Sequence, residues 1–239
     1  MPSRFAELGW ADTRIGEISL RRRLEPTTKT DVYEVKLGDE YLMSSLFTVA
    51  EEELSRLGLA ALPDGARLDV VVGGLGLGYT ARTALDDDRV ASLTVVEALA
   101  PVIDWHRREL LPEAGALVTD PRTTLLEGDF FALVRDGSGF DPAVPGRRFD
   151  AILLDVDHSP VNVLDPTHAD LYTAGGLRRL TALLRPGGVF GLWSDDAPEE
   201  GFLAVLREVF TSVEAHVVTF DNPLTRGTSA NTVYVATAS

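Results

Sequence analysis

Cysteine is absent from the 239 residues. Disulfides, thiolate metal sites and cysteine nucleophiles are thereby excluded. Positive charge is scarce: 22 Lys and Arg stand against 37 Asp and Glu, a formal net charge of −15. Such a surface repels a phosphate backbone, so no nucleic-acid partner is expected. The acidity suits a cationic small molecule, although net charge chiefly governs solubility. No apolar run approaches the ~20 residues of a membrane span. The opening MPSRFAELGW lacks an apolar core of signal-peptide type. The expectation is a cytoplasmic chain without a membrane partner. Ser159 has no G-x-S-x-G context, and the phosphate-loop spacing G-x-x-x-x-G-K is missing.

Hydrophobic content of 45 % is ample for a packed core. The length suggests one domain with a small addition: an N-terminal β-hairpin appendage at 1–47 and a main domain at 48–239. Residues 15–24 and 32–43 read as extended, with Gly38-Asp39 as a hairpin turn. Residues 48–60 carry apolar positions at helical spacing. Thr48 is placed to cap that helix, and three glutamates favour its first turn. Strands and helices then alternate. Leu68–Gly73, Ser92–Val96, Thr124–Glu127, Phe149–Leu154 and Val189–Trp193 read as buried parallel strands. Helices are expected at 80–85, 100–111, 174–184 and 199–210. The last runs, 214–220 and 231–236, lie too close for a helical crossover and read as antiparallel. The fold class is α/β: a doubly wound, Rossmann-like sheet with an antiparallel C-terminal strand. Stretches 136–148 and 157–171 are expected as loops over a site.

The first long strand ends in Gly73-Gly74-Leu75-Gly76-Leu77-Gly78, and a helix follows at once. Glycines at Gly73, Gly74, Gly76 and Gly78 let the backbone turn sharply and approach a ligand. A dinucleotide fingerprint needs its third glycine at position 79, which is Tyr79. The spacing is instead G-x-G-x-G, which resembles the first motif of class I S-adenosylmethionine-dependent enzymes. Glu97 ends the next strand, 19 residues after Gly78. A carboxylate there can accept from both hydroxyls of a ribose. Gly128, Asp129 and Phe130 follow the third strand. Asp129 suits an adenine amino group, with Phe130 against the ring; it also suits a helix N-cap.

Asp155, Asp157 and His158 follow the fourth strand, at the end where such sheets place ligands. They offer carboxylates and an imidazole for orienting and deprotonating an amine. Asp195 and Asp196 follow the fifth strand on the same rim. A metal site is a rival reading, since Asp155, Asp157, His158, Asp165, His168 and Asp170 fall within 16 residues. No H-x-x-x-H spacing accompanies them, and the favoured reading has no metal. His106 and His216 read as structural, Trp105, Phe130 and Phe131 as core or pocket wall. Arg21–Arg23 reads as a solvated strand edge.

Together these parts resemble the spermidine synthase-like (polyamine aminopropyltransferase-like) branch of the class I methyltransferase fold. The resemblance spans about residues 30–236. It rests on G-G-L-G-L-G, V-V-E at 95–97, E-G-D at 127–129, F-D-A-I-L-L-D at 149–155 and R-P-G-G-V-F at 185–190. It implies a transferase. Glu97 would hold the donor ribose, Asp129 the adenine, and Asp155 would face the transferring group and the acceptor amine. The donor would be S-adenosylmethionine or its decarboxylated form, the acceptor a cationic amine, and the assembly a homodimer. Two stretches depart from the family pattern. The usual Asp-x-x-Asp-Pro has His158 at its second Asp. The Asp-Glu…Tyr signature after the hairpin is replaced by Phe47-Thr48-Val49-Ala50-Glu51-Glu52-Glu53. Methyl transfer to a small polar or amine substrate, and a non-catalytic cofactor-binding protein, are the alternatives.

Overall fold

A computed structural model describes residues 4–239. Residues 1–3, the start of the stretch examined for a leader and of the expected appendage, lie outside the described residues. Four antiparallel strands come first: β1 (Phe5–Thr13), β2 (Gly16–Leu24), β3 (Asp31–Leu37) and β4 (Glu40–Ser44). The expected hairpin is therefore part of a larger sheet in the order β1-β2-β3-β4. Sequence reading missed β1 because Gly9 and a register shift between Glu7 and Gly9 break its alternation. Ile18 and Leu20 of β2, with Val35 of β3, are fully buried on one face. On the other face Arg21 and Arg23 both pair with the buried Glu34. This corrects the reading of Arg21–Arg23 as an edge, since β2 has a neighbour on each side.

Helix α1 (Val49–Ala60) follows. Thr48 stands at its N-cap position, but its hydroxyl donates to Glu52 rather than capping a backbone N–H. The main sheet has seven strands: β5 (Leu68–Gly73), β6 (Val90–Glu97), β7 (Thr123–Glu127), β8 (Phe149–Leu154), β9 (Leu184–Ser194), β10 (Ser212–Asn222) and β11 (Gly227–Thr237). Their order is β10-β11-β9-β8-β5-β6-β7. Strands β5 to β9 are mutually parallel, and β11 runs antiparallel to both neighbours. Helices α2 (Tyr79–Leu85), α3 (Ala100–Arg107), α4 (Ala114–Thr119), α5 (Phe130–Arg135), α6 (Ala174–Thr181) and α7 (Glu200–Arg207) complete the fold. The helix expected over 100–111 ends early, where Glu109 takes a positive φ of 53°. None of the described helices is long and apolar enough to cross a membrane.

Pleating divides the core. Val70 and Val72 of β5 point to one layer with α1, α2 and the N-terminal sheet, while Val71 points to the other, shared with α5, α6 and α7. The inner parallel strands β5, β6 and β8 are largely buried on both faces because helices cover both, whereas the edge strand β7 leaves Thr124 and Glu127 exposed. The stretch 136–148 does not overlie the carboxyl ends of these strands. It lies at their opposite ends, where Arg147 pairs with Asp141 and with Asp69 of β5. Asp69 also pairs with Arg185 of β9. The stretch after β8 does cover the carboxyl ends, as expected.

Candidate active site

The turn after β5 takes positive φ at Gly74, Gly76 and Gly78, with values of 93°, 49° and 95°. A side chain at Gly74 would also collide with the Asp155 carbonyl, so the turn lies directly against the end of β8. Behind it, His106 of α3 is fully buried, with Nε2 3.0 Å from the Gly76 carbonyl. A carbonyl only accepts, so Nε2 carries the proton. Nδ1 has no partner, and burial pulls the imidazole pKa down. The structural reading of His106 thus gains a specific role: it fastens the glycine turn.

Two cavities meet over this turn. One, of about 440 Å³, is lined by Gly74, Glu97, Gly128, Asp129, Phe130 and His168, among others. Glu97 accepts from Leu75 N–H (3.0 Å) and Leu99 N–H (2.8 Å), one on each oxygen, and burial pushes its carboxyl pKa up. The backbone N–H groups of Gly76 and Ala98 also favour its charged form. Asp129 caps α5 by accepting from Ala132 N–H at 3.1 Å, while Arg14 lies 3.6 Å from its other oxygen. The cap and the cavity position coexist. Phe130 is 3 % exposed and stacks on Phe140 at 4.9 Å. Gly73 lines neither cavity; it packs against the Phe130 ring and Leu154.

The second cavity, of about 540 Å³, is walled by Tyr41, Phe47, Tyr79, Trp193 and Phe220, and carries Glu51, Asp195 and Asn231. Gly78 lies on its lining too. Asp155, His158 and Gly76 belong to both cavities. Asp155 accepts from the Thr80 hydroxyl at 2.6 Å, and burial raises its pKa to about 6. Burial and the nearby Asp155 charge raise Glu51 to about 8. Asp195 accepts from the Asn231 amide at 2.7 Å, and its N–H donates to the His158 carbonyl at 2.7 Å. Asp196 lies on neither lining.

Asp157 differs from its neighbours. It is 1 % exposed and lies on neither cavity lining. Its carboxylate accepts from Leu164 N–H (2.8 Å), His168 Nδ1 (2.8 Å) and the Tyr172 hydroxyl (2.7 Å). That geometry anchors the loop after β8 and leaves the carboxylate no route to a reacting atom. Asp165 caps a 3₁₀ turn (Pro166–Asp170), and Asp170 pairs with Arg179. Among the described residues no group of three or more His, Asp or Glu side chains is placed to hold a metal ion.

Glu51, Tyr79, Trp193 and Asn231 line the candidate site and were not among the residues expected from the sequence. For Glu51 a signal existed. Glu52 and Glu53 both pair with Arg56, whereas Glu51 shares a helix face with the buried Ser55 and Gly58.

Strand order and glycine turn together define a Rossmann-like fold of the class I methyltransferase type. A four-stranded N-terminal sheet precedes that fold, and the antiparallel β11 completes its main sheet. No family model matches the chain. Over 138 residues it is 35 % identical to a polyamine aminopropyltransferase of Corynebacterium efficiens, covering 57 % of this chain and 24 % of that protein. Over 164 residues it is 29 % identical to putrescine N-methyltransferase 2 of Nicotiana tabacum, covering 66 % of this chain and 42 % of that protein. The chain thus spans under half the length of both relatives. The spermidine synthase of Thermotoga maritima shares the fold with a TM-score of 0.71 at 19 % identity, over 97 % of this chain and 72 % of that one.

Proposed function

We propose that this chain transfers an aminopropyl group from decarboxylated S-adenosylmethionine to a diamine-class acceptor, releasing methylthioadenosine. One observation carries the reading: the larger cavity presents Glu51, Asp155 and Asp195 between aromatic walls, and among the described residues no Lys or Arg lines it. Carboxylates with aromatic faces suit an ammonium chain. The relatives named for polyamines and putrescine act on such amines. In the smaller cavity Glu97 is read as the ribose partner and Asp129 as the adenine partner, with Gly74, Gly76 and Gly128 allowing close approach and Phe130 backing the wall. Gly73 and Gly78 hold the turn itself.

The chemistry asks little of the protein beyond alignment and proton handling. The acceptor ammonium gives a proton to Asp155, with His158 as second candidate. The amine lone pair then attacks the propyl carbon bonded to the sulfonium. The carbon–sulfur bond breaks, and its electron pair makes sulfur a neutral thioether. The new secondary ammonium carries the charge out. Asp157 holds the covering loop and takes no proton.

The donor choice follows from charge. An intact methionine carboxylate near Asp155 would face Glu51 and Asp155 with no cation on that wall, whereas a decarboxylated donor brings only an ammonium. The one arginine on either lining, Arg14, sits by Asp129. Methyl transfer is the second reading, favoured by the putrescine N-methyltransferase likeness and by His158 where the family pattern has Asp. Calorimetry with S-adenosylmethionine, its decarboxylated form and methylthioadenosine tests the proposal. Preference for the decarboxylated donor is expected; preference for the carboxylated donor favours methyl transfer. No binding of any of the three refutes both.

A further inference from the structure

Asp157 and His168, the two groups that the proposed chemistry leaves idle, form a device of their own. His168 Nδ1 lies 2.8 Å from the Asp157 carboxylate. A carboxylate with three donors around it accepts only, so the ring proton sits on Nδ1. The ring lies flat on Phe131, with centroids 3.6 Å apart and planes 7° from parallel. Its orientation is thus fixed by a hydrogen bond and a stack, and Asp157 is itself held by Leu164 N–H and Tyr172. Nε2, on the opposite side of the ring, is the polar atom left over. His168 lines the smaller cavity together with Asp129. In the neutral ring Nε2 accepts. The lining of that cavity therefore includes acceptor groups of two residues, and a ligand edge bearing two N–H groups is their complement.

We infer that His168 is a specificity-determining residue whose Nε2, beside Asp129, reads the exocyclic amine of a 6-aminopurine. This rests on the proposed nucleoside donor, and it assigns a second reader of its base beside Asp129. A hypoxanthine base carries a carbonyl where adenine carries the amine, so it would set acceptor against acceptor. Sites built on a hydrogen bond reject the analogue lacking it, because buried polar groups are left unpaired.

Calorimetry would compare methylthioadenosine with methylthioinosine. The parent protein is expected to prefer the adenine nucleoside by about a hundredfold. His168→Asn keeps a donor at the Nδ1 position for Asp157 and lacks Nε2. His168→Gln places an acceptor near Nε2. The preference should shrink about tenfold in the Asn variant and persist in the Gln variant. Thermal unfolding of both variants separates loss of recognition from loss of the loop, and a purely structural histidine would leave the base preference unchanged. An undiminished preference in His168→Asn, or no preference in the parent, overturns the assignment. If the parent binds neither nucleoside, the donor proposal falls and this assignment falls with it. If the parent binds methylthioadenosine well and the variants show no change, only the role of His168 fails.

Discussion

The acidic residues of the larger cavity carry a cost that reveals their use. Glu51, which rises from an ordinary 4.5 to about 8, and Asp155, from 3.8 to about 6, are both displaced upward mainly by burial. The folded chain therefore holds protons that the unfolded chain has released. Its stability from these groups is present at low pH and falls as pH rises through their folded values. Glu51→Gln removes the group with the larger displacement. The substitution should raise the melting temperature relative to the parent at about pH 8.5 and have little effect at about pH 5. A difference that stays constant between the two pH values would contradict the burial argument. A bound diamine should cancel the same penalty, because ammonium groups favour the charged carboxylates.

At the scale of elements, the site is a meeting of strand ends with one loop and one helix. Helix α3 supports the glycine turn through His106. His106→Leu leaves the Gly76 carbonyl without its donor, a loss of about 1–3 kcal/mol. Donor-nucleoside affinity should fall with it, while His106→Gln, which offers an amide N–H, should retain more of both. Chemical denaturation and calorimetry measure the two effects separately. An affinity unchanged in the Leu variant would show that the turn keeps its shape without this contact. The elements also explain what could be read in advance. The glycine turn, Glu97 and Asp155 stand at the ends of apolar strands, and a strand buried on both faces announces itself and its end; Asp129 follows the shorter edge strand Thr123–Glu127. Glu51, Tyr79, Trp193 and Asn231 sit within a helix, at a helix start or inside strands whose own patterns already account for them. Their convergence depends on the N-terminal sheet and the β10–β11 pair folding over the rim, which no local pattern encodes. Asp157 follows the same strand two residues after Asp155, and only the folded loop surrounds it with three donors.

Over the whole molecule, a net charge of −15 surrounds a cavity that is itself acidic. Both draw a cationic acceptor, and exposed charges are screened within about 10 Å at 0.1 M salt. The apparent KM for a diamine should therefore rise several-fold between low and high ionic strength. Binding of uncharged methylthioadenosine should change little over the same range. Equal salt responses for the two ligands would argue against electrostatic capture of the acceptor. Two of the basic residues are meanwhile placed far from the site. Arg147 and Arg185 gather at the opposite ends of the strands, where they neutralise Asp69 and Asp150. The charge pattern thus separates a neutralised base of the sheet from an open, acidic rim.

The most direct test of the account is product identity. Purified protein would be incubated with putrescine and either donor, and the nucleoside released would be identified by mass spectrometry. The account predicts methylthioadenosine from the decarboxylated donor, with turnover reduced about a hundredfold or more in Asp155→Asn. Release of S-adenosylhomocysteine from the intact donor, with the decarboxylated donor left unchanged, would contradict it.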